Sequence, residues 1–208
     1  MDDALRRDAH AARAERLRGP SLLERLLAVP AADRDAWVDA LLGVPEPPPD
    51  APLPRGAVPY LPAGVDEILA MAREAPLRRG DVLVDLGSGL GRVAILAHLL
   101  SGARAHGVEI QEALVREATA CCARLGLSAD VTFTCADAAS SGLDGSVFFL
   151  YAPFNGELLA RVMRRVEAVA RHRPIVVCAA GLELPDERWL RRRETSPLAI
   201  TLYDSISR

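Results

Sequence analysis

The chain has 208 residues, enough for one globular domain with a sizeable core and a small appendage. Its formal net charge is −3 and its 25 basic residues are all arginines scattered along the chain, so it lacks a field that attracts nucleic acid non-specifically. No apolar run approaches the ~20 residues of a membrane-spanning helix, and the acidic start lacks the apolar core of a secretory signal. These features predict a cytoplasmic protein without a membrane or nucleic-acid partner.

Cysteine and histidine spacing indicates neither disulfides nor a metal site. Two of the four cysteines are adjacent, which suits neither a metal knuckle nor a secreted disulfide framework. The four histidines lack the paired spacing of metal ligands. We therefore expect no metal.

Three segments differ in composition. Residues 1–44 read as a helical N-terminal extension, residues 45–57 as a stiff Pro-rich linker, and residues 58–208 as the main domain. Within the extension, Gly19-Pro20 is expected to break the helical pattern and Ser21 to cap the next helix. Leucine stripes on these helices need a partner surface. We expect them to pack near the mouth of the site and to shape acceptor entry.

From about residue 55, apolar strands alternate with helices. This alternation predicts a Rossmann-like α/β fold with a mostly parallel sheet and helices on both faces. The expected strands are 81–86, 103–110, 131–135, 146–151 and 174–179, and the expected helices are 62–75, 90–100, 111–125 and 156–171. Two further strands, 189–194 and 198–205, follow without a helix between them and predict an antiparallel edge.

The sequence Asp-Leu-Gly-Ser-Gly-Leu-Gly at residues 85–91 joins the first of these strands to a helix. Glycines permit a sharp turn and close approach of a ligand, and the helix N-terminus offers free N–H groups. Ligands of open parallel sheets bind beyond the carboxyl ends of the strands. The motif therefore predicts a ligand-binding loop.

Two features argue against a dinucleotide at this loop. The third glycine, Gly91, comes one position too early for the G-x-G-x-x-G fingerprint, and Arg92 takes the dinucleotide position. Asp85 would repel a pyrophosphate but suits a cation, such as the ammonium and sulfonium of S-adenosylmethionine (SAM). Glu109, which closes the second strand, can accept hydrogen bonds from ribose hydroxyls, although NAD enzymes place an acid similarly.

These sequences resemble motifs I and II of class I SAM-dependent methyltransferases. The similarity covers roughly residues 58–180, and the wording Asp-Leu-Gly-Ser-Gly is closest to the Dot1-like branch with its bacterial and mitochondrial protein-lysine methyltransferase relatives. The resemblance implies a seven-stranded sheet with a reversed terminal strand. It implies S-adenosyl-L-methionine as cofactor and S-adenosyl-L-homocysteine (SAH) as product.

The resemblance also implies a set of cofactor-binding residues. Asp137 would accept the adenine amino group, with a turn or N-cap aspartate as the less favoured alternative. Tyr60 lies in a Tyr-x-Pro stretch that in related enzymes crosses the methionine end of the cofactor; otherwise it is a surface aromatic. The full set is Tyr60, Asp85, Gly87, Ser88, Gly89, Gly91, Glu109, Ile110, Asp137, Ala138 and Tyr151.

The acceptor side is expected to follow the fourth strand. Nucleic-acid amino-methylases carry an Asn/Asp-Pro-Pro-aromatic motif there, whereas residues 151–154 read Tyr-Ala-Pro-Phe and lack the leading amide or acid. Residues 153–157 are loosely similar to the Dot1-like loop. Tyr151, Phe154 and Asn155 are the candidate catalytic residues, with core filling and helix capping as their alternative roles. The acceptor is expected to be a protein side chain or a small molecule.

Two other functions stay open from the sequence. An idle SAM-binding module would keep the cofactor motifs without the chemistry, and the imperfect fourth-strand motif is compatible with it. An NAD-dependent oxidoreductase is disfavoured by Asp85 and Arg92.

Overall fold

A computed structural model describes residues 1–194 and 200–206. Its helices are α1 Asp3–Ala14, α2 Gly19–Ala28, α3 Arg34–Leu42, α4 Val65–Glu74, α5 Arg92–Ser101, α6 Glu112–Leu125 and α7 Gly156–Ala170. Its strands are β1 Val82–Leu86, β2 Arg104–Glu109, β3 Val131–Cys135, β4 Val147–Tyr151, β5 Val176–Ala180, β6 Leu190–Arg192 and β7 Ile200–Ser205. A single 3-10 turn, Ala31–Asp33, precedes α3. Of the last expected strand, residues 198 and 199 lie outside the described part of the chain.

The seven strands form one sheet in the order β3-β2-β1-β4-β5-β7-β6. Strands β1 to β5 pair in parallel, and β7 pairs antiparallel with both β5 and β6. The predicted fold class, including the reversed terminal strand, is confirmed. Because β1 lies between β2 and β4, the loops that follow these three strands meet at one edge.

Alternate residues of the central strands face two separate hydrophobic layers. In β4, Phe149 packs into the layer formed with α4, α5 and α6, whereas Phe148 packs into the layer formed with α7. This period of two is what a sheet covered on both faces requires. Helices therefore lie on both faces of the sheet, as expected.

The N-terminal helices belong to the first of these layers. Leu22, Leu26 and Trp37 are fully buried in the same cluster as α5 residues such as Ile95. The extension is thus continuous with the core of the main domain. No helix among residues 1–194 and 200–206 is long and apolar enough to cross a membrane.

One carboxylate joins the three N-terminal helices to one another. Asp8 of α1 accepts a hydrogen bond from the Arg25 guanidinium of α2 at 2.9 Å and from the Trp37 indole of α3 at 2.9 Å. The bond from Arg25 is the main reason that the pKa of Asp8 is lowered. The hydrogen bonds of Asp8 therefore hold the three helices together as a small unit.

The start of α2 differs from the expectation. The helix begins at Gly19, with Pro20 in its first turn and Ser21 inside it, so Ser21 does not cap it. The physical reason is that N–H groups in the first helical turn have no partner within the helix, so proline loses no hydrogen bond there. Its fixed φ also suits the start of a helix. Gly19-Pro20 starts a helix here rather than interrupting one.

Candidate active site

The loop between β1 and α5 is shaped by contacts that exclude side chains. Gly87 has a φ of 80°, and a Cβ there would lie 2.5 Å from the Cβ of Pro153 in the loop after β4. Gly89 has a φ of 52°, and a Cβ there would lie 2.2 Å from a ring atom of Tyr60. Both positions need glycine because the backbone is left-handed and because other groups approach it. The third glycine, Gly91, ends the loop as the N-cap of α5.

Glu109, the last residue of β2, ties this loop to the neighbouring strand. Its Oε2 accepts a hydrogen bond from the Gly89 N–H at 3.0 Å, and its Oε1 accepts from the N–H groups of Ile110 and Gln111 at 2.8 and 3.0 Å. Only 7% of Glu109 is exposed. The carboxylate thus holds the glycine loop and also borders the cavity described below.

Asp85 lies buried beneath the loop. It is 2% exposed, and neither its Oδ2 nor the Oγ of Ser88 in the loop, both buried, has a hydrogen-bond partner among the described residues. Burial, and then the negative charge of Glu109, raises the pKa of Asp85 to about 8. A buried carboxyl group in this state is suited to a cationic or hydrogen-bond-donating ligand.

A cavity of about 80 Å³ opens at the carboxyl edge of the sheet, against the glycine loop. Eight of the sequence-predicted site residues line it: Tyr60, Gly87, Glu109, Ile110, Asp137, Ala138, Tyr151 and Phe154. Five others, Asp85, Ser88, Gly89, Gly91 and Asn155, lie beside or beneath it without lining it. None of the described residues that line it is basic.

The covering wall of the cavity consists of residues 50–61, which we call the strap. Asp50 Oδ1 accepts from the Gln111 side-chain amide at 2.7 Å and from the Tyr60 N–H at 3.1 Å, while the Ala51 N–H donates to Gln111 Oε1 at 2.8 Å. Residues 45–54 contain neither helix nor strand. The Pro-rich segment read as a linker therefore contributes Leu53, Pro54 and Ala57 to the cavity lining.

The strap is also fastened on the other side of the cavity. The Val58 N–H donates to the Pro153 carbonyl at 3.0 Å, and the Asn155 N–H donates to the Gly56 carbonyl at 2.8 Å. Between these bonds, Ala57 forms an isolated antiparallel bridge with Phe154. The strap thus spans from the end of β2 to the loop after β4.

Sequence reasoning missed Asp50 and Gln111. Gln111 is 5% exposed although it is polar, because both ends of its side-chain amide are bonded to the strap. Its place two residues after the β2 acid was the only available signal, and that position alone does not specify a partner 61 residues away.

Asp137 has the expected turn role and also lines the cavity, while its role toward adenine stays a prediction. It lines the cavity, yet its Oδ1 accepts a hydrogen bond from the Ala139 N–H at 2.8 Å, as a turn aspartate does. Its Oδ2 lies 3.6 Å from the Arg161 guanidinium. The turn fixes the carboxylate at the edge of the cavity and leaves Oδ2 for a ligand or for Arg161.

The loop after β4 brings aromatic groups to the cavity. Tyr151 and Phe154 are half-buried and line its wall, and Ala152 between them has a φ of 43°, a strained value for a residue with a side chain. Asn155 is exposed and occupies the N-cap position of α7 without a side-chain capping bond. Its role as an acceptor contact stays a prediction.

Tyr60 lies among four charged residues. Burial is the main reason that its pKa is raised to about 12. The negative charges of Asp39, Asp85 and Glu109 act in the same direction, and the positive charge of Arg92 opposes them. Tyr60, in the strap, therefore contacts the glycine loop and feels the charges of Asp39 in α3 and Arg92 in α5.

No family model matches the sequence, and no curated protein matches it. Solved structures do match. An RNA methyltransferase from Salinibacter ruber in complex with S-adenosyl-L-homocysteine is 25% identical, with a TM-score of 0.51 over 70% of this chain and 92% of that chain. The putative methyltransferase yhhF from Escherichia coli is 19% identical, with a TM-score of 0.56 over 76% of this chain and 92% of that chain.

The sheet order and these two structures agree. The fold is that of the class I methyltransferases. A mutant of MtNAS in complex with S-adenosylmethionine has the same fold at 20% identity, with a TM-score of 0.53 over 68% of this chain and 62% of that chain. In this methyltransferase fold, the cavity lies where the loops after β1, β2 and β4 meet. No group of three His, Cys, Asp or Glu side chains that could hold a metal occurs in the part of the chain that the structure describes.

Proposed function

We propose that the protein is a SAM-dependent methyltransferase that acts on a protein side chain or a small molecule by direct displacement. The observation that carries this proposal is the charge of the cavity at the glycine loop. Glu109 and Asp137 line it, Asp85 lies buried beside it, and none of the described lining residues is basic. A pyrophosphate would be repelled by the Glu109 and Asp137 carboxylates that line the cavity, whereas SAM carries a cationic ammonium and sulfonium and no phosphate.

The residues present fit SAM at its methionine end. The buried Oδ2 of Asp85 has no hydrogen-bond partner in the described part of the chain and would accept from the ammonium group. Gly87 and Gly89 keep the loop backbone free of side chains, and Pro153 and Tyr60 lie directly against it. Tyr60 would cover this end from the strap.

The nucleoside end would bind toward β2 and β3. Glu109 would accept hydrogen bonds from the ribose hydroxyls on lone pairs that its three backbone donors leave free. Ile110 and Ala138 form the apolar walls beside it, and Asp137 Oδ2 would accept the adenine amino group in place of Arg161.

The acceptor would approach from the side of β4. SAM supplies an electrophilic methyl group, and displacement at carbon needs alignment more than a strong base. Tyr151 and Phe154 offer aromatic faces on that wall, where they can position an acceptor and stabilise positive charge near the reacting atoms. These two residues are the proposed catalytic contacts, with Asn155 at the entrance.

Among acceptors, a protein side chain is favoured by the resemblance to the Dot1-like and related protein-lysine methyltransferases. Two stretches support it, the Asp-Leu-Gly-Ser-Gly loop at residues 85–89 and the Pro-Phe-Asn-Gly-Glu loop at residues 153–157. One matching structure is an RNA methyltransferase, so the acceptor assay must include RNA.

Calorimetry with three ligands tests the cofactor. We expect SAM and SAH to bind and NAD not to bind, because the cavity wall is acidic. Tight binding of NAD without binding of SAH would contradict the proposal.

Transfer of a labelled methyl group tests the reaction. The protein is incubated with methyl-labelled SAM and, separately, a mixture of basic proteins, total RNA and a small-molecule extract. We expect label in the protein or small-molecule fraction. Label in RNA alone would overturn the acceptor class, and binding of SAM without transfer to any fraction would favour an idle binding module.

A further inference from the structure

Arg92, the first residue of α5, is held by the N-terminal helices. It is 8% exposed, and its guanidinium donates two hydrogen bonds to the carboxylate of Asp39 in α3, at 2.9 and 2.6 Å. A third hydrogen bond goes to the Ala63 carbonyl at 2.7 Å. This two-pronged pairing is the most geometrically specific contact an arginine makes with a carboxylate. The side chain therefore links α3, the glycine-loop end of α5 and the chain just after the strap.

A second carboxylate of α3 acts beside the first. Asp35 lies four residues before Asp39 and so on the same face of the helix. Its Oδ1 accepts a hydrogen bond from the Val65 N–H at 2.7 Å, and its Oδ2 lies 3.7 Å from the Arg92 guanidinium. Val65 is the first residue of α4, whose own N-cap, Gly64, provides no side-chain acceptor. Helix α3 thus caps α4 and clamps α5 with two acids one turn apart.

Both contacts fix the chain that follows Tyr60. The carbonyl of Ala63 and the N–H of Val65 are each bonded to this charged group, only three and five residues after Tyr60. Tyr60 itself lies against Gly89 in the glycine loop. A shift of α3 would therefore move Tyr60 relative to the loop on which it rests.

We propose that Asp39 is a positioning residue for the cofactor site, acting through Arg92 to hold Tyr60 against the glycine loop. The proposal rests on the proposed function, because the ligand held by Tyr60 and the loop is SAM. It makes α3 part of the cofactor side of the site, whereas the expected effect of residues 1–44 on acceptor entry stays a prediction.

The chain offers a matched control for a merely structural role. Asp8 is also a carboxylate of the N-terminal helices with two side-chain donors, Arg25 and Trp37, and its side chain is 30% exposed against 33% for Asp39. None of the Asp8 contacts reaches the strap or the glycine loop. Asp8→Asn should weaken the helical unit without acting on Tyr60.

The first measurement is the affinity for SAH of the full chain and its Asp39→Asn, Arg92→Lys and Asp8→Asn variants, each well below its melting temperature. We expect Asp39→Asn and Arg92→Lys to bind SAH roughly tenfold more weakly than Asp8→Asn does. In a Tyr60→Ala background, Asp39→Asn should have little further effect, since its influence passes through Tyr60. Equal affinities of Asp39→Asn and Asp8→Asn would overturn the proposal.

A second measurement needs no ligand. Amide hydrogen exchange over residues 60–65 should become faster in Asp39→Asn and in Arg92→Lys but not in Asp8→Asn. Unchanged exchange there would overturn the positioning role even if SAH binding fell. Failure of the unaltered protein to bind SAH would instead remove the proposed function. Arg92→Lys keeps the positive charge. If Asp39→Asn does not fold, Arg92→Lys is compared with Asp8→Asn in its place.

Discussion

The ring of Tyr60 rests on the backbone of Gly89, so that a Cβ on Gly89 would lie 2.2 Å from the ring atom Cε2 and 2.6 Å from Cδ2. Aromatic ring and glycine come from distant parts of the chain, the strap and the loop after β1. Tyr60 thus links the cavity lining to the glycine loop.

Gly89→Ala should lower the free energy of unfolding by roughly 1–3 kcal/mol, because the new methyl group meets the ring and the left-handed backbone disfavours alanine. Binding of SAH should be lost or much weaker. Denaturant unfolding and calorimetry measure the two effects. Gly142→Ala is the control, since nothing lies within 4 Å of a Cβ there. Adding Tyr60→Ala should recover part of the lost stability; no recovery would show that the ring is not the obstacle.

Glu109→Ala should affect both the loop and the ligand. Three backbone N–H groups lose their acceptor, and burial of the Gly89 donor makes this loss cost about 1–3 kcal/mol of stability. The lost ribose bonds should weaken SAH about thirtyfold. Glu112→Ala, at the exposed start of α6, is the control. An unchanged dissociation constant for SAH would show that Glu109 does not hold the ribose.

Asp85 should couple cofactor binding to pH. Its pKa of about 8 means that the ligand-free protein carries a neutral Asp85 at pH 7. A bound ammonium favours the ionised form, so binding should release most of one proton at pH 7 and tighten as pH rises toward 8. Calorimetry in two buffers of different ionisation enthalpy measures the proton. Asp85→Asn should abolish the release, and release at full strength in that variant would assign it to another group.

The raised pKa of Asp85 should also make the free energy of unfolding depend on pH. A carboxyl group whose pKa is higher in the folded than in the unfolded state favours folding at low pH, and this contribution is lost between pH about 4 and 8. The difference in unfolding free energy between the original protein and Asp85→Asn should therefore change across that window. A difference that is constant with pH would place the titration elsewhere.

Phe154→Ala should lower turnover while leaving the affinity for SAH almost unchanged. The ring lines the wall toward β4, away from the groups assigned to the nucleoside, and so should act on the acceptor at the reacting end. Methyl transfer to the acceptor found in the labelling assay gives turnover, and calorimetry gives affinity. A large loss of SAH affinity would assign Phe154 to the cofactor instead.

Asp50→Ala should make the strap open more often. Its carboxylate holds both Gln111 and the Tyr60 N–H, and the side chain is exposed, so its removal disturbs no core packing. Residues of the strap line the cavity, so ligand entry and exit should depend on how often the strap opens. Association and dissociation of SAH should both become faster in stopped-flow measurements. Glu46→Ala, in the same Pro-rich segment, should leave both rates unchanged.

Much of the fold follows from local sequence pattern. The predicted strand at residues 131–135 matches β3 at both ends, and the other strands are displaced by one or two residues where described. Strand signals are strongest for β1, β4 and β5, because these parallel strands are buried on both faces and are therefore mostly apolar. The glycine loop was also predictable, since few sequences place an acid and three glycines at a strand end.

Contacts between distant residues could not be predicted in the same way. From the sequence, Arg92 indicates only that the loop is unsuited to a dinucleotide. Its pairing with Asp39 depends on how α3 packs against α5. Gln111 gave no sign that it holds the strap. Pro20 was misread because proline breaks a helix at most positions but suits its first turn. Each of these contacts depends on how distant elements pack together, which local sequence propensity does not predict.

The prolines of the Pro-rich segment reduce the conformational entropy that the segment loses when it closes over the cavity. Each has a fixed φ, so the open chain samples fewer conformations and gives up less disorder when it settles over the cavity. They stand at positions 45, 47, 48, 49, 52 and 54. The same residues lack N–H groups, which leaves few donors to fasten the segment. The segment should therefore behave as a stiff flap that is held by a few hydrogen bonds. It should close and open rapidly, unlike a disordered loop that must fold around its ligand.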